Sequence, residues 1–125
     1  MEAAREILHA HGYDDAASMT VGDDIKITLD SDAMMPLVIE KIADNRLSVA
    51  HYYTQRGDLM SDPEIVFRVN SDDWTPVRYT QHPHIHQHNE DGLDSMDQFC
   101  TQWSRNLQRQ GYVKTAKRGD QNGKR

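Results

Sequence analysis

The densest run of polar, chemically capable side chains lies at residues 51–64, HYYTQRGDLMSDPE. Asp58, Asp62 and Glu64 fall within seven residues, with His51 upstream on an alternating segment. Three carboxylates and an imidazole suit a divalent cation that activates water. Two carboxylates in different surroundings can also divide acid and base roles. That combination defines one candidate activity, a divalent-metal-dependent hydrolase with Asp58, Asp62, Glu64 and His51 as its working groups. The competing explanation is structural. Asp and Ser beside Gly or Pro form ordinary turns, because their side chains bond nearby backbone N–H groups. The favoured expectation is therefore no catalytic residues, and a binding surface made of His51, Tyr53, Gln55, Asp58, Asp62 and Glu64.

A second candidate is the segment HPHIHQH, where His82, His84, His86 and His88 recur at every second position. In extended backbone that spacing sets them on one side. Neutral imidazoles suit zinc, nickel or copper. The segment lacks a C-x-x-C or H-E-x-x-H pattern, so it is a weak metal candidate, and no metal or other cofactor is expected. No glycine-rich phosphate loop and no G-x-S-x-G elbow occurs. Cys100 falls on the apolar stripe of a helix, which predicts a buried, inert thiol.

These groups must be held by a scaffold, and the hydropathy pattern outlines it. Ala3, Ala4, Ile7 and Leu8 recur at helical spacing, and Gly12 supplies a stop. From residue 24 the period becomes two, with Ile25, Ile27 and Leu29 on one face of a strand. A second strand covers residues 37–42, and residues 43–46 read as a tight turn. Leu47, Val49, His51 and Tyr53 then line one face of a third strand. Turn signals at residues 55–58 and 61–63 precede a fourth strand at 64–70, and residues 74–81 form a fifth. Pro36 and Pro76 favour edge positions. Residues 82–91 read as a polar loop. Leu93, Met96, Phe99, Cys100, Trp103 and Leu107 mark a closing helix that ends at Gly111. Short connections make neighbouring strands antiparallel. The prediction is an α+β domain over residues 1–113: N-terminal helix, mainly antiparallel sheet of about five strands, C-terminal helix, with both helices on one sheet face.

Composition narrows the function classes. The chain has 125 residues, 20 Asp+Glu against 14 Lys+Arg, and a net charge of −6. Residues 1–113 carry a net −10, and residues 114–125 carry +4. An acidic body repels phosphate backbones, so nucleic acid is an expected partner only through the basic tail, which reads as disordered. Asp outnumbers Glu by 15 to 5, a balance similar to that of proteins from salt-loving archaea. No run of about 18 apolar residues occurs, so no membrane span is expected. The first residues lack a basic start and an apolar stretch, so no signal peptide is expected. A single Cys fits a reducing cytoplasm.

Three stretches resemble one uncharacterised domain family of bacteria and archaea, often found on plasmids, phages and integrated elements. The central stretch, residues 51–69, follows the pattern H-Y-x-x-Q-x-G-D-L-M-x-D-P-E-hydrophobic-x-F-x-V. Residues 35–40, MPLVIE, resemble the family's preceding strand, and residues 103–112, WSRNLQRQGY, its closing helix. The resemblance implies no established activity and no catalytic residues to carry over. It places any shared site at His51, Gln55, Asp58, Asp62 and Glu64. Together with the small size, it implies a cytosolic binding or accessory protein of a mobile element, acting through a protein partner, as monomer or homodimer.

Overall fold

The computed structural model describes the chain except residues 30–34, 71–72, 82–84 and 123–125. Helix α1 (Glu2–Ala10) opens the fold, and a single-turn 3-10 helix (Ala16–Ser18) follows it. Six strands come next: β1 (Asp24–Ile27), β2 (Leu37–Ala43), β3 (Arg46–Gln55), β4 (Asp58–Val69), β5 (Trp74–Gln81) and β6 (Ile85–His88). They pair in sequence order, every pair antiparallel. Helices α2 (Asp97–Gln110) and α3 (Tyr112–Asn122) close the chain.

All three helices lie on one face of the sheet. Alternation puts Ile25, Ile27, Leu37, Ile39, Leu47, Val49, Ile65, Phe67 and Val69 on that face, in one buried core with Ile7, Leu8, Trp103 and Leu107. Burying a side chain of this size contributes roughly 1.5–3 kcal/mol, so the strand alternation decides which face the helices cover. Lys41 shares the buried parity. Its ammonium donates to the carbonyls of Ala16 at 2.6 Å and Met19 at 3.3 Å, tying the 3-10 helix to β2.

Among the described residues, no helix covers the other face. Ser48, Ala50 and Val66 are nevertheless buried there, beneath longer polar neighbours. Arg46 and Arg68 stand opposite each other on β3 and β4, a repulsive pairing. Glu90 relieves it: its carboxylate pairs with Arg46, and its carbonyl accepts from Arg68. His88 donates to the same carboxylate at 2.6 Å. The bonds from His88 and then Arg46 hold the Glu90 carboxyl below its ordinary value.

Four expectations need correction. The sheet has six strands, because residues 85–88 pair with β5. All four are exposed, so no burial period marked them as a strand. Strand β4 begins at Asp58, six residues before the predicted start. Arg56 and Gly57 have φ of 53° and 86°, the left-handed pair of a two-residue hairpin turn, so strand resumes at once. Pro76 is not at an edge: it faces Phe67 where the β4–β5 register shifts, a bulge that tolerates the missing N–H. Residues 114–125 are not wholly disordered. Gly111, at φ 100°, ends α2 as expected, but α3 starts directly after it. Tyr112, Val113 and Ala116 pack into the core and hold it. Among the described residues, no helix is long and apolar enough to cross a membrane.

Candidate functional site

Met35, Pro36, Trp103 and Tyr112 meet around His51. Its position on β3 turns the imidazole to the helix side, where it is 7 % exposed. The ring lies 5.6 Å from that of Trp103 at 63° and 5.2 Å from that of Tyr112 at 53°. Nδ1 is 3.3 Å from the Pro36 carbonyl. A carbonyl only accepts, so this nitrogen carries the proton. The Tyr112 hydroxyl donates to the Met35 carbonyl at 2.6 Å. Burial lowers the His51 pKa from its ordinary 6.5, against the pull of the Pro36 and Met35 carbonyls and the Asp62 charge. At neutral pH it is an uncharged anchor joining β3, the start of β2 and the junction of α2 with α3.

An aromatic path leads outward from this anchor. Trp103 lies 6.1 Å from Phe99, and Phe99 meets Tyr79 edge-on at 5.7 Å. Tyr79 donates to Gln81 Oε1 at 2.5 Å, and Gln81 Nε2 donates to Asp62 at 2.8 Å. Burial, then the nearby Asp62 charge, raises the Tyr79 hydroxyl above its ordinary value. Asp62 is therefore a positioned carboxylate on the helix side, held by an amide.

Glu64 faces the opposite way. It accepts from Ser48 at 2.7 Å and lies 3.9 Å from Arg78, on the face without helices. Tyr52 shares that face; burial, then the Glu64 charge, raises its hydroxyl. Two positions apart on a regular strand, Asp62 and Glu64 would share a face. They do not, because the β3–β4 register shifts between Ala50 and Tyr52: Ala50 pairs with Glu64 but Tyr52 with Ser61. Asp62 and Pro63 together oppose His51, a bulge with one extra residue. Asp58 is exposed at the hairpin end, about 20 Å along the strand from Glu64 at the usual rise. The hydrolase candidate needs Asp58, Asp62, Glu64 and His51 to converge. The structure brings only Asp62 near His51.

Gln55 pairs with Asp58 through the backbone, and its side chain is outside the described residues. Tyr53 faces Met60, both half-buried. His82 and His84 lie outside the described residues. His86 and His88 do share a side of β6, but each has its own partner: His86 lies 2.9 Å from Thr80 and His88 bonds Glu90. Among the described residues, no group of three or more His, Cys, Asp or Glu side chains is placed to hold a metal ion. Cys100 is buried, and burial pushes its thiol up to about 11.

Sequence reasoning passed over Trp103, Tyr112, Tyr79 and Gln81 as site residues. The available signal was that Trp103 and Tyr112 bound the third matching stretch. Phe99, placed on the apolar stripe, is 37 % exposed at the margin of the core.

The geometry adds one more feature. Among the described residues, β2 follows β3 only to the pairing of Leu37 with His51, with Pro36 reaching the Tyr52 amide. Strand β5 follows β4 only to Thr80 opposite Glu64. Residues 53–60 run on as a two-stranded arm of about 13 Å, with His51 at its root. No curated protein and no solved structure matches the chain. A family model described as a domain of unknown function (DUF6908) matches residues 2–113, and the chain belongs to that family.

Proposed function

We propose that this is a small binding or accessory protein that acts through a protein partner, and that the partner meets it at the hairpin arm. The carrying observation is the convergence of the three family-like stretches at the arm's root. His51, Trp103 and Tyr112 fix the base of a projecting element, while the carboxylates that a hydrolase would gather are spread over two faces and the tip. Rigid support beneath an exposed tip is how loops and hairpins present contacts. The arm offers Tyr53 and Met60 as apolar contact and Asp58 as an exposed charge. We place the protein in the cytoplasm of a bacterium or archaeon and associate it with a mobile element; the resemblance of residues 51–64 to the family signature and the lone Cys100 support that setting. The acidic body argues for a partner protein over a nucleic acid.

Affinity capture with tagged full-length chain tests the proposal. Wild type is compared with Tyr53→Ser, Met60→Lys and, on the helix-free face, Lys26→Glu. The expected result is one reproducible protein, lost with the two arm substitutions and retained with Lys26→Glu. A protein set indifferent to the arm substitutions, or empty captures, refutes it.

A further inference from the structure

Strand β6 forms one edge of the sheet, and it is exposed along its whole length. An edge strand turns a row of backbone N–H and C=O groups outward, and natural proteins blunt it with lysine, proline, a bulge or a cover. Ile85–His88 contains no lysine and no proline, and it pairs with β5 without a register shift. The opposite edge is different. Strand β1 carries Asp24 and Lys26 on its exposed parity, with Ile25 and Ile27 buried in the core.

Two of the three exposed large hydrophobic residues among those described flank the β6 edge. Ile85 is 46 % exposed and Phe99 37 %; the third, Val21, lies beside Gly22, which bonds β2 on the far side of the sheet. The register sets Ile85 beside Gln81 and Gln87 beside Tyr79. Tyr79 belongs to the helix-side core, so Ile85 and Gln87 share that side. Phe99 of α2 stands 5.7 Å from Tyr79. Ile85 on the edge strand and Phe99 on the helix over β5 are thus exposed apolar groups on the same side of the sheet. A further strand would sit about 4.8 Å outside β6 and send every second side chain towards α2.

Charge selects the occupant. The edge itself carries no Asp, Glu, Lys or Arg. Asp62 lies two strands in, on β4, where Gln81 of β5 holds it, so it takes no part at the edge itself. Residues 1–113 carry a net −10, so an acidic segment or a second copy of this chain meets repulsion, and a basic segment is attracted. We infer that β6 and α2 form a docking edge for an extended, basic segment of a protein partner. It adds as a strand beside β6, with apolar side chains towards Ile85 and Phe99 on the helix side and Lys or Arg at the alternate positions, drawn by the acidic body. The inference rests on reading the chain as a binding protein, but it commits to an element distinct from the hairpin arm.

The test is selection of a phage-displayed random decapeptide library on the full chain, followed by fluorescence anisotropy with the most enriched peptide. The expected peptides alternate apolar residues with Lys or Arg. Ile85→Lys and Phe99→Ser should each weaken binding about tenfold, a loss of one apolar contact or addition of one repulsive charge, while Val21→Ser leaves it unchanged. Amide exchange at residues 85–88 should slow in the complex. Failure to enrich, enrichment of acidic peptides, affinity indifferent to both edge substitutions, or edge-dependent self-association in sedimentation each overturns it. Captures abolished by the arm substitutions alongside a failed selection would remove the docking edge and leave the arm standing.

Discussion

Replacing His51 by Gln should remove a pH dependence of stability that the wild-type fold carries. The imidazole is 7 % exposed, against Trp103 and Tyr112, and its Nδ1 donates to the Pro36 carbonyl. Burial lowers its pKa below 6.5 in the folded chain, with the Pro36 and Met35 carbonyls and the Asp62 charge opposing. The unfolded chain therefore binds a proton first as pH falls. Above about pH 6.5 both states are neutral at this site and stability is complete; through the window down to the folded pKa it declines; below that both states are protonated and the decline ends. One proton limits the slope to about 1.4 kcal/mol per pH unit. Gln retains an N–H for the Pro36 carbonyl and does not titrate, so its cost, about 1–2 kcal/mol from lost ring packing, is constant. The other imidazoles are present in both proteins and cancel in the difference.

The assay is urea unfolding followed by tryptophan fluorescence at half-unit steps from pH 5 to 8, a range that leaves ordinary carboxylates ionised. The stability advantage of wild type over His51→Gln should shrink steadily on acidification from pH 7 to 5. A difference constant within about 0.3 kcal/mol over that range would refute the assignment of His51 as a buried neutral anchor, since linkage then has no proton to act on.

Other perturbations test separate parts of the structure. Lys41→Ala should lower stability by about 2–4 kcal/mol, because two carbonyls lose a charged donor, and Lys41→Met should recover only the packing share; thermal unfolding distinguishes them. Gly57→Val should destabilise by about 1–2 kcal/mol through its φ of 86° alone, since nothing lies within 4 Å of an added Cβ, and Gly57→Asn should cost less in the same urea assay. Cys100, with a thiol pushed up to about 11, should react with iodoacetamide at pH 8 about 100-fold more slowly than a free cysteine; comparable rates would contradict its burial.

What the residues disclosed depended on whether a face was buried. Leu47, Val49 and His51 alternate because one side of β3 packs on helices, and that alternation was readable. Ile85–His88 has no buried side, so hydrophobicity held no trace of a strand there. The start of α3 was masked by Gly111, a true stop signal for α2 that says nothing about the next helix. Its apolar stripe of Tyr112, Val113 and Ala116 is too short to announce itself in a basic segment. The bulge opposite His51 was the largest loss. No residue type marks an extra residue between paired strands, yet that residue sends Asp62 and Glu64 to opposite faces and dissolves the carboxylate cluster implied by their spacing.

The same bulge sorts the residues of the 51–69 stretch by duty. Gly57 makes the turn, Ile65, Phe67 and Val69 fill the core, and His51 anchors the root. Glu64 belongs to the network on the helix-free face, and Asp62 is held by Gln81. Each of these would be required by the fold even if nothing bound. Asp58 is the exception: it is exposed at the tip, and beyond its backbone pairing with Gln55 its carboxylate has no hydrogen bond or ion pair to a described residue. Asp is a poor strand former, and a hairpin strand opening on an exposed Asp gains little from it internally. A residue with an internal role accounts for itself, so a contact role within residues 51–69 is to be sought where structural explanation is weakest. That is the end of the arm, with Tyr53 and Met60 behind it, which is why the proposed contact surface lies there and not at the buried His51 imidazole.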